Sequence, residues 1–236
     1  MNRKLFNLYK QGVNLCAYLR EKEGVKENTV EIIKKSYDTR AGMDVDMVKS
    51  GKIADHVVKY SLLLSQIIES YIKPESILEA GVGEGITLLG VAKYFTQAKI
   101  QGFDISPNRI KVAKKWLKEN GVNTVELKTG NLLGIPYRDN SFDVVYTSHA
   151  IEPNRGKEEQ ILQELYRVAK KYLFLLEPGY EFAKPEYQKR MESLSFVKGL
   201  REVSERLGYK VLKHELFPLT VQVENPTAIL IIKKQA

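Results

Sequence analysis

The chain is poor in the residues that cross-link a fold or hold a metal. One cysteine, Cys16, leaves no partner for an internal disulfide, and His56, His149 and His214 are too scattered to offer zinc-ligand spacing. The expectation is no metal site. Long hydrophobic runs are also missing. The longest, such as Leu173–Leu176 and Ala228–Ile232, fall far short of the roughly 20 residues that span a bilayer. The opening stretch MNRKLFNLYKQG has no apolar core of signal-peptide length, so the reading is a cytoplasmic protein with no membrane partner. Nor is there a repeat, a low-complexity tract or a Gly/Ser/Pro linker.

What is present is 236 residues with 43% hydrophobic content, enough for one domain with a real core. The formal charge of +8 is spread along the chain, with 13 basic against 9 acidic groups in residues 1–74, 14 against 13 in 75–180 and 10 against 7 in 181–236. Such interleaving marks solvated faces rather than a stripe that tracks phosphates, so a nucleic-acid partner is disfavoured and an acidic small substrate fits equally well.

Up to about Lys73 apolar residues recur at three-to-four spacing, as in Ile53, Val57, Tyr60, Leu64, Ile67, Ile68 and Tyr71, which predicts a helical N-terminal cap over 1–73. From Pro74 the pattern changes to short apolar runs alternating with amphipathic stretches, the signature of a parallel sheet with crossover helices over 74–236. Strands are expected at Ser76–Ala80, Lys99–Asp104, Thr124–Lys128, Phe142–Ser148 and Lys171–Glu177, with helices near Gly85–Phe95, Pro107–Asn120 and Gly156–Ala169. A polar, aromatic-containing insert at Pro178–Ser195 leads to a helix ending at Leu207-Gly208. Tyr209–Glu215 and Ala228–Lys233 follow without a crossover helix between them, so they should pair antiparallel. The fold class is α/β, a Rossmann-like, seven-stranded, mostly parallel sheet with an antiparallel terminal hairpin and a helical cap.

The chemistry is carried by Ile77-Leu-Glu-Ala-Gly-Val-Gly-Glu-Gly, a buried-looking strand running straight into Gly81, Gly83 and Gly85 and then a helix. Glycine lets the backbone turn sharply and lets a ligand reach the main chain, and the helix start adds unpaired N–H groups. A dinucleotide fingerprint would place its last glycine at 86, which is Ile86. Asp104 ends the second strand at a spacing where its carboxylate can accept from two ribose hydroxyls.

These segments resemble a class I S-adenosylmethionine-dependent methyltransferase over roughly Pro74–Lys233. The resemblance implies S-adenosyl-L-methionine as cofactor and S-adenosyl-L-homocysteine as product. Glu79 would lie near the methionine portion with Gly81, Gly83 and Gly85 beneath it, Asp104 on the ribose, and Ile105 packed on adenine. Gly130-Asn131-Leu132 through Ile135-Pro136 looks like the motif usually written GDxxxLP, with Asn131 in place of its acidic residue. Asn131 and Leu132 would then border adenine. Phe142–His149 matches the fourth strand, whose end borders the reacting methyl.

Methyl transfer is an in-line displacement that demands positioning. A hydroxyl or ammonium acceptor must also lose a proton. His149, at the end of the fourth strand, is placed to take it, or to line the cofactor pocket, or to bind charge if the acceptor is anionic. Glu152 would orient His149 or meet the acceptor, or face solvent. Tyr37, in Ser36-Tyr37-Asp38, sits where related small-molecule enzymes put a lid tyrosine, or simply packs. Asp143, near the start of its strand, reads as structural. The insert, with Tyr180, Phe182, Tyr187 and Arg190, is expected to shape acceptor specificity. The leading expectation is methylation of an oxygen or nitrogen of a small molecule. A weaker resemblance, in Ser36–Asp38 and His149–Pro153, points to methyltransferases that act on sugar or phosphate-type precursors of bacterial surface glycans. An RNA methyltransferase and a non-catalytic cofactor-binding protein are the alternatives; the oligomeric state stays open.

Overall fold

The computed structural model describes residues 3–220 and 222–235. Five helices come first: α1 (Arg3–Lys10), α2 (Leu15–Glu23), α3 (Val30–Thr39), α4 (Met43–Lys49) and α5 (Ala54–Tyr71). Asn14 and Thr29 start α2 and α3 by accepting hydrogen bonds from the backbone N–H groups of Ala17 and Ile32. The sheet region then runs β1 (Ser76–Ala80), α6 (Ile86–Tyr94), β2 (Lys99–Asp104), α7 (Pro107–Glu119), β3 (Glu126–Thr129), β4 (Phe142–Ser148), α8 (Glu158–Val168) and β5 (Ala169–Pro178). It closes with α9 (Pro185–Ser193), α10 (Leu200–Arg206), β6 (Lys210–Leu216) and β7 (Thr227–Lys233).

The sheet order is β3-β2-β1-β4-β5-β7-β6. The first five strands are parallel, while β7 runs antiparallel to both β5 and β6. This is the expected Rossmann-like arrangement, and its order reverses between β1 and β4, where open α/β sheets leave a crevice at their carboxyl ends. Alternate residues face opposite layers. Ile77, Val144 and Phe174 join one core with α5, α6 and α7, whereas Leu78, Val145 and Leu173 join another with α8 and α10. On α8, Ile161, Leu162, Leu165 and Val168 are all fully buried, and each contributes about 1.5–3 kcal/mol.

Several boundaries differ from expectation for identifiable reasons. The third strand starts at Glu126 rather than Thr124 because pairing with β2 begins at Gln101–Glu126. The fifth strand is longer, since its residues from Ala169 onward already pair with β4, which also ends α8 one residue earlier. The insert contains a helix of its own, α9, started by Pro185. The boundary at Lys73 does not divide the core: Tyr60, Leu64 and Ile68 of α5 pack into the main sheet cluster, while Leu5, Leu15, Leu19 and Ile32 of α1–α3 form a small cluster apart.

The contact between α5 and α6 depends on Gly90. A Cβ there would lie 2.0 Å from Ser61 Oγ and 2.4 Å from Ser61 Cβ. Gly90→Ala is expected to cost about 1–3 kcal/mol by overpacking, lowering the melting temperature by roughly 2–4 °C per kcal/mol. Ser61→Gly in the same chain should recover part of that loss. Thermal unfolding of the four combinations checks it, and an unchanged melting temperature for Gly90→Ala would contradict the close approach.

Candidate active site

β1 ends in a loop whose glycines take left-handed conformations, with φ of +81° at Gly81, +55° at Gly83 and +75° at Gly85. The N–H groups of Gly81 and Val82 both donate to the Phe103 carbonyl, at 2.9 and 2.8 Å, which folds the loop against the end of β2. Asp104 completes the join: one carboxylate oxygen accepts from Gly83 N–H at 2.9 Å and the other from Ser106 N–H at 2.8 Å. A Cβ at Gly81 would meet the Ala150 Cβ at 2.3 Å, and one at Gly83 would meet the Arg109 guanidinium at 2.8 Å. Gly85 has a different place. It precedes α6 and faces Ala113 of α7, outside the cavity, so its position serves helix packing rather than ligand contact.

Above this loop is a cavity of about 400 Å³. Of the residues singled out from the sequence, Tyr37, Glu79, Gly81, Gly83, Asp104 and Ile105 line it, and so do Asn131, Leu132, His149 and Glu152. Phe103, Ile105 and Leu132 supply apolar wall. The Asn131 side-chain oxygen accepts from Leu133 N–H at 3.0 Å, leaving its amide nitrogen as the group it can offer a ligand. Glu79 is buried and accepts from the Tyr146 hydroxyl at 2.8 Å. Burial pushes its carboxyl up to about 8, with Asp104 adding and Tyr146 and Arg109 opposing.

Four residues given no role in the sequence analysis, Asp38, Arg40, Glu84 and Arg109, organise the helical side of this cavity. Glu84, from the glycine loop itself, accepts from the N–H groups of Gly42 at 2.8 Å and Val45 at 2.9 Å, so it holds the start of α4. Arg109 pairs with Asp44 of α4 and stands 3.6 Å from Glu84. Asp38 of α3 accepts from Ser106 Oγ at 2.5 Å. Arg40 lies 4.2 Å over the Tyr37 ring, with Arg109 5.2 Å from the same ring, and the Arg40 Nε is buried without a hydrogen-bond partner. A buried guanidinium nitrogen lacking an acceptor fits an anionic group held in this cavity. The position of Glu84 between two of the glycines was a signal available in the sequence; nothing local marked Arg40 or Arg109.

At the end of β4, His149 adopts φ +53° and donates its N–H to the Leu176 carbonyl at 2.8 Å. Its Nδ1 is 3.0 Å from Glu152 and its Nε2 is 2.9 Å from the Thr227 hydroxyl. Burial opposes charging of this imidazole, but the Glu152 hydrogen bond and charge, helped by Glu177, raise its pKa above the ordinary value. Glu177, at the end of β5, accepts from the successive N–H groups of Ala150, Ile151 and Glu152 at 3.1 Å each, pinning the loop that carries His149. Burial pushes Glu177 up to about 7. Asp143 sits near the other end of β4, bound to Glu75 N–H and Lys171, in keeping with a structural role.

A second cavity of about 300 Å³ adjoins the first across Thr87, Ser148, His149, Glu152 and Gln222. Tyr60 and His56 of α5 form its far side, with the Tyr60 hydroxyl 3.1 Å from Ser148 Oγ. The insert lines neither cavity. Phe182 packs on His214 and Tyr180 bonds Glu192; Arg190 borders a third cavity of about 360 Å³ beside Tyr37 and Arg40, and Tyr180 a separate one of about 410 Å³ with Lys198 and Arg206. Docking of α9 toward α2, through Arg20 bonds to the Ser193 and Leu194 carbonyls, turns the insert away from the second cavity.

A doubly wound sheet, a glycine loop backed by a carboxylate at the next strand end, and a cavity at the point where the strand order reverses define a nucleoside-cofactor-binding α/β protein. Residues 77–172 match the family model described as a methyltransferase domain. The chain is 37% identical over 98 residues to ajmaline N-methyltransferase of Rauvolfia serpentina, covering 41% of this chain and 33% of that one. It is 38% identical over 74 residues to demethylmenaquinone methyltransferase of Listeria welshimeri, covering 31% of each. The aligned part thus spans about a third of the length of these curated relatives. Among solved structures, magnesium protoporphyrin IX methyltransferase of Synechocystis PCC 6803 superposes with a TM-score of 0.66 at 15% identity, over 88% of this chain and all of that one. The cyclase SpnF superposes with a TM-score of 0.55 at 18% identity, covering 68% of this chain and 74% of that one, so the shared fold alone does not name a reaction.

The raised carboxyls have a sign that can be tested. Glu79 titrates near 8 in the folded chain against 4.5 for an ordinary glutamate, so between those values the folded state holds more protons than the unfolded one. Stability should therefore fall as pH rises from about 5 to 8. Glu79→Gln should flatten that fall. Melting temperatures measured across this range check it, and identical slopes for the two proteins would contradict the assignment.

Proposed function

We propose that the first cavity holds S-adenosyl-L-methionine and that the chain transfers its methyl to an oxygen or nitrogen of a small molecule in the second cavity, leaving S-adenosyl-L-homocysteine. The observation that carries this reading is the shared wall. Thr87, Ser148, His149 and Glu152 separate a cavity built on the glycine loop from one with no part of that loop in its lining, at the strand ends where the reacting groups would meet. Asp104 would hold the ribose hydroxyls, Ile105, Leu132 and the Asn131 amide the adenine, and Gly81 with Arg40 the amino-acid end. When bound, this cofactor supplies a methyl activated by its sulfonium. The residues of the chain position and enclose: α3 and α4, tied down through Asp38, Asp44 and Glu84, shield the first cavity. His149, held by Glu152 on Nδ1, would receive a proton from the acceptor at Nε2 in exchange for its bond to the Thr227 hydroxyl.

The names of the relatives, which act on ajmaline, demethylmenaquinone and magnesium protoporphyrin IX, support a small-molecule acceptor. A phosphate-type glycan precursor draws no support from the second cavity, since no lysine or arginine is among its described lining residues.

The test uses cofactor with a labelled methyl and a host extract divided into small-molecule, glycan, nucleic-acid and protein pools. Label is expected among small molecules and should be lost with Gly83→Ala, whose Cβ would strike Arg109. Label in RNA would overturn the small-molecule reading, and tight cofactor binding with no transfer would mark a binding protein. In calorimetry, Asp104→Ala should weaken cofactor binding by about 1.5–3 kcal/mol, roughly 10- to 150-fold, through lost charge-assisted hydrogen bonds. Unchanged affinity would remove Asp104 from the site.

A further inference from the structure

The second cavity is unusual in its charge. Its described lining is made of neutral polar groups, Tyr60, Ser148, Gln222, Asn225 and Thr227 among them, together with two histidines and one carboxylate, Glu152. His56 is held below the ordinary imidazole range by burial and by the charge of His149. Both effects favour its neutral form. Glu152 uses one oxygen, Oε2, to accept from His149 Nδ1 at 3.0 Å and from Asn225 Nδ2 at 3.2 Å. Among the described residues its other oxygen, Oε1, has no hydrogen bond, and Glu152 lines the first cavity as well as the second.

We propose that the acceptor is a small protonatable amine, recognised as its ammonium form by the free carboxylate oxygen of Glu152 and methylated on that nitrogen. The proposal rests on the methyltransferase reading above and deepens it. The His149 imidazole is bonded to Oε2 of Glu152, and the unpaired Oε1 at the junction of the two cavities attracts a second cation; no guanidinium or ammonium lines the second cavity among the described residues. Arg40 and Arg190 border the third cavity, which Glu152 and Tyr37 also line, and Arg40 lines the first cavity as well; neither arginine lines the second. A volume of about 300 Å³ limits the amine to small molecules.

An ammonium nitrogen has no lone pair, so the proton must leave first. It passes to the Glu152–His149 pair. The released lone pair then forms the bond to the methyl carbon as the carbon–sulfur bond breaks. That electron pair stays on sulfur and cancels its positive charge, and the methylated amine carries the charge away. His149 is faced by Glu152 from its own loop, Glu177 from β5, His56 from α5 and the Thr227 hydroxyl from β7. The neutral imidazole is the form that accepts a proton, so kcat/KM should rise with pH along an acid limb above the ordinary imidazole range.

The experiment incubates the full chain with trideuteromethyl-labelled cofactor and a host metabolite extract, then locates the label by mass and fragmentation in every product other than the cofactor. A labelled N-methyl amine is the expected result. Label on oxygen, in a phosphate or carboxylate ester, or in RNA would overturn the amine proposal while leaving methyl transfer intact. No labelled product from a chain that binds the cofactor would overturn the methyltransferase reading, and this proposal with it. With the amine identified, Glu152→Gln should raise its KM by about tenfold or more and move the acid limb to lower pH, because His149 loses the charge that raises it. Retained binding of S-adenosyl-L-homocysteine would show that the variant is folded. In Glu152→Asp the limb should return toward its original pH; a limb that stays put in Glu152→Gln would refute the role of Glu152.

Discussion

The backbone of Gly81–Gly85 is the constraint on which the upper half of the molecule depends. It must bend in left-handed steps to let β1 pass into α6, and two neighbours crowd the place of a side chain, Ala150 at Gly81 and the Arg109 guanidinium at Gly83, while the Phe103 carbonyl accepts from the Gly81 N–H. Asp104 then ties the loop to the end of β2, and Glu84 ties it to α4. The glycine loop therefore positions the cavity floor, the strand-end carboxylate and the covering helices together, through hydrogen bonds to charged groups that are stronger than neutral ones.

The second organising centre is built on carboxylates at the ends of β4 and β5. Glu177 collects three consecutive backbone N–H groups and so stabilises a loop in which His149 adopts a positive φ, uncommon outside glycine. With that loop held, Glu152 reaches back to the imidazole and also faces both cavities. Burial raises the pKa of Glu79 and Glu177, so a cluster that looks strongly acidic in sequence carries less negative charge than its composition suggests. At the cavity junction Glu152 stands beside His149, with Oε2 bonded to the imidazole and Oε1 without a hydrogen bond among the described residues.

Much of this was legible in the sequence because it is locally encoded. Ser106-Pro107 announces α7, as Ser106 Oγ accepts from Arg109 N–H, and the apolar runs of β1, β4 and β5 announce strands buried on both faces. The glycine pattern and Asp104 mark the cofactor side for the same reason: turn, close approach and strand-end carboxylate are properties of short segments. Gly85 belongs to the glycine pattern in sequence, yet in the fold it faces Ala113 of α7 and serves helix packing. For the insert, strand-end position predicts nearness to the first two cavities, whereas Arg20 draws α9 toward the N-terminal helices.

The sequence by itself determined the alternation of strands and helices, the glycine loop, and the group of residues that would gather at the carboxyl ends of the sheet, because hydrophobic period and backbone freedom act over a few residues. Only the tertiary structure decided which distant side chains complete the site. Arg40 faces the glycine loop from α3, Thr227 reaches His149 from β7 across 78 positions, and Glu152 keeps one oxygen free between two cavities. Those relations follow from where the sheet order reverses and how α3 to α5 settle over it, and long-range packing of that kind leaves no periodic trace along the chain.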